Sequence, residues 1–291
     1  MTPPLRRMLL CAALVVPVAL VPACGKKNSG TSSGSGTDTP PPGGLPGGRR
    51  PSPPVADDSS SSAASGPIVT AGWNDQRLAA ARQNSQNNLK QIAIAFHNYE
   101  ATMGTFPAGI YDKAGKTVHL SWRVAILPYV EQNALYKEFN FDEPWDSEHN
   151  KKLLAKMPKL YAAPGTEPEK GLTYYRSFTG QGTPLNPQPG RPSNAPPGVP
   201  NAAAGLRITG ITDGTSNTLL VVEARDPVPW TKPDELAYDP AKPAPKLGGV
   251  FEAGANVAMC DGSTRFLSKS IDEKTLRGAI TANGGEIIQI P

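Results

Sequence analysis

The chain is poor in the residues that build covalent and catalytic centres, with 3 cysteines and 3 histidines among its 291 residues. Cys11 and Cys24 belong to an N-terminal segment with the features of an export signal, so Cys260 is the one free thiol expected in the mature chain. A single cysteine excludes an internal disulfide, and burial must therefore stabilise the fold. We expect Cys260 to act as a small buried hydrophobe.

Motifs of common metal and redox sites are also missing. The sequence contains no His-Glu-x-x-His and no Cys-x-x-Cys, although catalysis needs a base, a nucleophile or a metal held within mutual reach. The three histidines, His97, His119 and His149, stand in unrelated segments. A zinc site with four ligands would need all three of them and Cys260. The sequence therefore predicts that the protein is not an enzyme and has no zinc site.

A strong excess of charge of one sign is absent as well. The formal net charge is +4, and it falls to about +2 in a mature chain because the signal carries Arg6 and Arg7 and no acidic residue. A basic surface is the usual electrostatic signature of nucleic-acid binding. We therefore expect no nucleic-acid partner.

No apolar run reaches the roughly 20 residues of an ordinary transmembrane helix, but the N-terminus contains a shorter one. The N-terminus has the layout of a bacterial lipoprotein export signal. It contains Arg6-Arg7, an apolar run from Met8 to Val21 and then Pro22-Ala23-Cys24-Gly25. This layout predicts a signal peptide over 1–23 and acylation of Cys24. The protein would be an exported lipoprotein, anchored to a membrane at the periplasmic or outer face of the cell envelope. The alternative is a plain secretory peptide in which Cys24 is incidental.

Large apolar residues remain scarce from Cys24 to Gly72, where Gly, Ser, Thr and Pro dominate. Such a segment cannot bury enough surface to offset the entropy lost on ordering. We therefore predict a disordered tether over 24–72, whose typical reach as a flexible coil is on the order of 40 Å. The remaining residues, 73–291, suit a single domain.

The folded part begins with a helical pattern and continues with strands. No Pro or Gly occurs from Asn74 to Met103, where Leu89, Ile92 and Phe96 follow helical spacing. Asp261-Gly262 between two apolar runs indicates a β-hairpin. This order predicts an α+β fold in which a long N-terminal amphipathic helix packs on an antiparallel β-sheet head. Further helices are expected over 122–127, 131–136, 148–156 and 271–281, strands over 172–178, 218–223, 256–260, 263–267 and 286–290, and a long loop over 180–205.

Several blocks of this sequence, in this order, resemble a large planctomycete family called domain of unknown function 1559. The resemblance covers about Asn84 to Thr281. The blocks are Asn88-Leu89-Lys90-Gln91-Ile92 with Phe96-His97-Asn98-Tyr99 and Phe106-Pro107; Leu120-Ser121-Trp122-Arg123-Val124 with Leu127-Pro128-Tyr129-Val130-Glu131-Gln132; Pro144-Trp145-Asp146; Ile211-Thr212-Asp213-Gly214-Thr215-Ser216-Asn217-Thr218 with Glu223; and Gly254-Ala255-Asn256 through Asp261-Gly262 to Leu267.

The resemblance implies a fold more than a reaction. Many members look like type IV pilins or type II secretion pseudopilins, and some are linked to solute-binding proteins. This chain departs from the family pattern in three places. A lipoprotein signal and a tether replace the prepilin anchor, and Phe251 stands where the family has a histidine. Ala163-Pro164 stands where many members have a Cys-Pro pair. The missing anchor favours a head domain held individually at a membrane over a filament subunit.

Two turn segments offer oxygen ligands for calcium. Asp213, Thr215 and Asn217 alternate along one loop, and Asp261 lies in a second turn. Calcium accepts about six to eight such oxygens, and some pseudopilins bind it. The competing interpretation is that both segments are ordinary turns whose side chains bind nearby backbone. We predict no other cofactor.

Aromatic residues suggest a ligand groove. Trp122, Trp145 and Trp230 are candidates for binding a carbohydrate or a peptide, and the spacing by seven of Trp122, Tyr129 and Tyr136 would place these three on one helix face. The competing interpretation is that the aromatic residues form the core. Arg123 and Glu131, in the same stretch, are expected to be surface charges.

Two functional hypotheses follow. The first is a lipid-anchored structural or interaction module with a pseudopilin-like head, which binds a protein partner in the cell envelope. The second is a tethered binding protein for a carbohydrate or another solute.

Overall fold

A computed structural model of the protein describes residues 69–188, 201–286, 288 and 290. The predicted signal peptide, Cys24 and the tether up to residue 68 lie outside these residues, as does the part of the predicted loop from 189 to 200. Within the described ranges, no helix is both long enough and apolar enough to cross a membrane.

The first element is a helix of 29 residues, α1 (Asp75–Met103). Asn74 caps its N-terminus, because its side chain accepts a hydrogen bond of 2.9 Å from the backbone N–H of Arg77. Gly104 ends it in the left-handed conformation, with a φ of 80° that favours glycine. Leu89, Ile92 and Phe96 are fully buried. Helical spacing therefore assembles one face of α1 for packing on the core.

Four shorter α-helices follow in the described part of the chain, with 3-10 turns between them. Pro128 lies in the 3-10 turn Leu127–Val130, and Glu131 ends this turn with a φ of 61°. Trp122, Tyr129 and Tyr136 consequently belong to separate elements, so the prediction that they share one helix face is wrong. The α-helices are α2 (Trp122–Ala125), α3 (Asn133–Glu138), α4 (Glu148–Lys151) and α5 (Glu273–Ile280), and the other 3-10 turns are Lys152–Lys156, Lys159–Tyr161, Pro168–Lys170 and Ile208–Gly210.

The strands of the described residues form three sheets. A 4-stranded antiparallel sheet has the order β3-β6-β8-β9, a 3-stranded antiparallel sheet the order β2-β1-β5, and β4 pairs with β7 in parallel. Helices and antiparallel sheets together confirm the α+β class. The strands are β1 (Pro107–Tyr111), β2 (Val118–Leu120), β3 (Leu172–Arg176), β4 (Phe178–Thr179), β5 (Ala202–Ala204), β6 (Leu219–Pro229), β7 (Leu236–Ala237), β8 (Gly254–Met259) and β9 (Thr264–Ser268).

The 4-stranded sheet separates two apolar clusters, because successive side chains of a strand point to opposite faces. Ala258 and Cys260 belong to the cluster that contains the buried residues of α1, whereas Val257 and Met259 belong to the cluster that contains those of α5. Cys260 is fully buried, which confirms its predicted role as a small hydrophobe, and burial raises the pKa of its thiol. The predicted hairpin at Asp261-Gly262 is also confirmed, since it joins β8 to β9.

The predicted loop over 180–205 contains a strand. Ala202, Ala203 and Ala204 form β5 and pair with β1, and all three are buried. Three alanines carry little local signal for a strand. Their pairing depends on Pro107–Tyr111, which lies far away along the chain.

Both ends of the domain also differ from the prediction. The predicted tether includes residues 69–72, but Thr70 is buried and the backbone N–H groups of Val69 and Thr70 donate hydrogen bonds of 3.2 Å to the carbonyl groups of Gly249 and Val250. The folded domain therefore includes Val69. At the other end, an edge strand is predicted over 286–290. Residues 286, 288 and 290 of this range are described, and none of them is part of a strand.

Candidate functional site

The most unusual group in the core is the carboxylate of Glu223, which lies in β6 and is fully buried. Ser85 of α1 donates a hydrogen bond to its Oε1. Asn256 of β8 donates two more, from its backbone N–H to Oε2 at 2.7 Å and from Nδ2 to Oε1 at 3.3 Å. The hydroxyl of Tyr175, in β3, lies 2.9 Å from Ser85 Oγ. A buried charge requires such partners, and here they connect one helix to three strands.

Burial raises the pKa of Glu223 from 4.5 to about 7, while the hydrogen bonds from Ser85 and Asn256 and the charge of Arg82 act in the opposite direction. Burial and the nearby Glu223 raise the pKa of Tyr175. Glu223 can therefore change its protonation near neutral pH. Ser85, Tyr175 and Asn256 are themselves inaccessible to solvent, so this network lies inside the core, where it joins α1 to the 4-stranded sheet.

Arg123 is buried, so the prediction that it is a surface charge is wrong. Its guanidinium donates hydrogen bonds to three backbone carbonyl groups, those of Trp230 at 2.8 Å, Tyr175 at 2.9 Å and Lys232 at 3.0 Å. Nη2 also lies 2.9 Å from Oε1 of Glu235, which is itself nearly buried. Five donors in a planar fork allow one side chain to join several segments. Arg123 therefore connects α2 to β3 and to the segment after β6.

Two of the three tryptophans proposed to line a groove are core residues. Trp122 is 1% exposed and meets Phe96 edge to face at 4.9 Å, and Trp230 is 0% exposed and stacks on Tyr161 at 5.9 Å. Trp145 is half-buried against the same cluster. The groove prediction is therefore wrong for Trp122 and Trp230, because both rings are enclosed by other aromatic side chains.

The residues proposed to bind calcium occupy neighbouring turns. Asp213 accepts hydrogen bonds from the backbone N–H groups of Gly284 at 2.7 Å and Gly285 at 3.0 Å, and Asp261 accepts one of 2.8 Å from Ser263. The two turns meet where the N–H of Asp261 donates to the carbonyl of Thr215 at 3.0 Å.

The remaining proposed calcium ligand takes part in a turn of its own: the N–H of Asn217 donates to the carbonyl of Gly214 at 3.0 Å. No group of three or more His, Cys, Asp or Glu side chains in the described ranges is placed to hold a metal ion. Both carboxylates bind backbone N–H groups, as Asp does in ordinary turns.

A cavity of about 460 Å³ opens next to the Glu223 network, and we call it the Arg82 cavity. Arg82 precedes Ser85 by three residues on α1, so both side chains lie on the same side of this helix. The guanidinium carbon of Arg82 lies 4.1 Å from the ring centroid of Phe266 and 5.9 Å from that of Phe251, the residue that stands at the family's histidine position. The cavity is lined by Thr70, Gly72, Trp73, Leu78, Arg82, Phe251, Glu252, Ala253, Ser268, Lys269 and Ser270.

The family model described as protein of unknown function (DUF1559) matches residues 75–249, which is more than half of the 291 residues. The chain belongs to this family. No curated protein and no solved structure matches it. In this DUF1559 protein, the matched range includes Arg82, Ser85, Arg123, Tyr175 and Glu223, whereas the β8–β9 hairpin lies beyond it.

Neither the Arg82 cavity nor the hydrogen-bonded network around Glu223 was predicted from the sequence. One local signal existed: Glu223 interrupts the apolar run Leu219-Leu220-Val221-Val222 before Ala224. A lone acidic residue inside an apolar strand indicates a buried carboxylate with hydrogen-bond partners. Arg82 and Ser85 have no comparable signal, because α1 contains many other polar residues.

Proposed function

We propose that this DUF1559 protein is a lipid-anchored structural or interaction module of the cell envelope. In this proposal Cys24 carries acyl chains, the segment that follows it is a tether, and the folded domain presents its surface to an envelope protein partner. We further propose that α1 and the 4-stranded sheet form a pseudopilin-like head. The burial of Leu89, Ile92 and Phe96 in the cluster that also contains Val221 and Ala258 of the sheet supports this packing.

The observation that carries the proposal is the way the chain enters the domain. Val69 and Thr70 pair with Gly249 and Val250, and the Thr70 hydroxyl donates a further hydrogen bond of 2.7 Å to the Val250 carbonyl. Gly249 in turn donates to the carbonyl of Ala224 in β6 at 3.1 Å. A force applied at a membrane anchor would therefore be transmitted to the 4-stranded sheet through hydrogen bonds of the backbone. This arrangement suits a domain held at the end of a tether.

The start of α1 supports an individually held head rather than a filament subunit. A pilin's first helix continues towards its N-terminus as a membrane-spanning anchor, but Asn74 caps α1 here and Gly72 has a φ of 76°. The preceding residues pair with Gly249 and Val250 instead of extending the helix. An apolar continuation of α1 is therefore replaced by a turn.

Replacing the proposed acylation site tests the anchor. We expect Cys24→Ala to lose metabolic labelling by a fatty-acid analogue and to leave the membrane fraction, because an acyl chain contributes to membrane affinity with each buried methylene. Cys11→Ala is the matched control, since it removes another N-terminal cysteine and should keep the label. Unchanged mass, label and membrane association of Cys24→Ala would overturn the anchor.

The interaction part of the proposal needs its own measurement. Proteins crosslinked to the wild type in intact cells are identified and compared with those crosslinked to Cys24→Ala at matched abundance. We expect a defined envelope protein to be enriched with the wild type at least several-fold. Identical crosslinked proteins for both forms would contradict a partner reached through membrane anchoring.

A further inference from the structure

Arg82 carries hydrogen-bond donors that the described part of the domain leaves unused. A guanidinium has five N–H donors, yet no hydrogen bond or ion pair to Arg82 occurs among the described residues, and its Nε is buried without a partner. Glu223, in the neighbouring buried network, already accepts hydrogen bonds from Ser85 and Asn256. Leaving a buried donor unpaired is unfavourable, so an acceptor from outside the chain would stabilise this arrangement.

The contact between Arg82 and Phe266 is compatible with a planar acceptor. The guanidinium carbon lies 4.1 Å from the ring centroid of Phe266, which is within the range of a cation–π contact. Such a contact engages the positive charge and uses none of the N–H donors, which lie in the plane of the guanidinium. A carboxylate binds in that plane through two parallel hydrogen bonds. The aromatic contact and a bound carboxylate are therefore compatible.

The Arg82 cavity combines this donor group with apolar walls. Its volume of about 460 Å³ lies within the usual range of small-molecule sites, roughly 300–1,000 Å³. Trp73, Leu78 and Phe251 supply apolar surface next to Arg82. The space therefore suits an organic group larger than an inorganic ion.

The charges around the cavity indicate how much negative charge the ligand carries. Arg82 and Lys269 are the cations of its lining and Glu252 is the anion, so the lining has one net positive charge. One carboxylate balances this charge, whereas a phosphate with about two charges would not. We infer that the Arg82 cavity binds an organic monocarboxylate, whose carboxylate pairs with Arg82 and whose apolar body lies against Trp73, Leu78 and Phe251. This site does not depend on the proposed anchor.

Titration of the full-length protein with 2-naphthoate, followed by calorimetry, tests the inference. We expect saturable binding with one site per chain. Arg82→Met should weaken it at least about tenfold, because a lost charge-assisted hydrogen-bond pair is worth a factor of ten or more. Lys90→Met is the matched control: it removes one positive charge from an exposed position of α1 and should bind as the wild type does.

Two further probes, one uncharged and one with more negative charge, are compared with 2-naphthoate on the wild type alone. This comparison does not depend on the folding of Arg82→Met. 2-Naphthamide should bind at least about tenfold more weakly than 2-naphthoate, because it lacks the charge that pairs with the guanidinium. 2-Naphthyl phosphate should also bind more weakly. Absence of saturable naphthoate binding, equal binding of the amide, or tighter binding of the phosphate would overturn the inference.

Discussion

Ser85 of α1 donates a hydrogen bond to the fully buried carboxylate of Glu223 in β6. The two residues are 138 positions apart, and through Asn256 and Tyr175 the same network reaches β8 and β3. Hydrogen bonds in a buried, low-dielectric network hold its members in one arrangement, and removing one partner from the network is costly. The attachment of α1 to the sheet is therefore specified by polar groups as well as by apolar packing.

The first prediction concerns the pH dependence of stability. Because the pKa of Glu223 rises from 4.5 to about 7 on folding, the folded state binds a proton more tightly than the unfolded state. This contribution is fully present below about pH 4.5 and is lost as the pH rises through about 7. Across that range, we expect the free energy of unfolding of the wild type to fall by about 3 kcal/mol relative to Glu223→Gln.

Urea denaturation at a series of pH values measures this difference. The control is Glu252→Gln, which neutralises an exposed glutamate and should leave the pH profile close to that of the wild type. If the profiles of the wild type and Glu223→Gln run parallel from acidic to neutral pH, the proposed titration of Glu223 is incorrect.

The second prediction concerns the buried pair of Arg123 and Glu235, whose side chains are 0% and 6% exposed. Arg123→Met leaves this carboxylate without its cation and removes the donor from three backbone carbonyl groups. We expect a loss of about 3–5 kcal/mol in the free energy of unfolding, as is usual when one partner of a buried pair is removed. Chemical denaturation of the variant measures this loss.

A more exposed pair provides the comparison for Arg123. Arg176 lies 2.7 Å from Asp234, but 34% of the Asp234 side chain is accessible to solvent. Arg176→Met should therefore destabilise the protein by clearly less than Arg123→Met. Equal losses for the two variants would mean that burial does not determine the contribution of Arg123.

The third prediction separates a turn from a calcium site at Asp213. Asp213→Ala removes the acceptor for the backbone N–H groups of Gly284 and Gly285, and we expect it to destabilise the fold by about 1–3 kcal/mol. Asp261→Ala, which removes one hydrogen bond to Ser263, should cost less. Calorimetric melting with and without a calcium chelator should give the same Tm for the wild type. A decrease of several degrees on chelation would instead support calcium binding.

Several elements of the fold follow from neighbouring residues and were predictable. Asp261-Gly262 marks the turn between β8 and β9, because glycine accepts the φ of 84° found at Gly262. Pro128 interrupts the helical segment after Ser121. Both signals act within a few residues of chain, so they do not depend on the rest of the molecule.

The sheet that contains β5 was not predictable in the same way. Ala202–Ala204 pairs with Pro107–Tyr111, and a run of three alanines after a proline-rich segment resembles a loop in isolation. The strand forms because its backbone groups find partners across the sheet and its side chains are buried there. Pairing between distant segments has no local sequence signature.

The sequence by itself determined the family, the α+β class and the position of the β8–β9 hairpin, because these depend on motifs, periodicity and local turn chemistry. Only the tertiary structure decided which charges are buried. Arg123 resembles a surface residue in the sequence, and Glu223 is a single acid in an apolar run. Their burial is stable because donors and acceptors from remote segments converge on them.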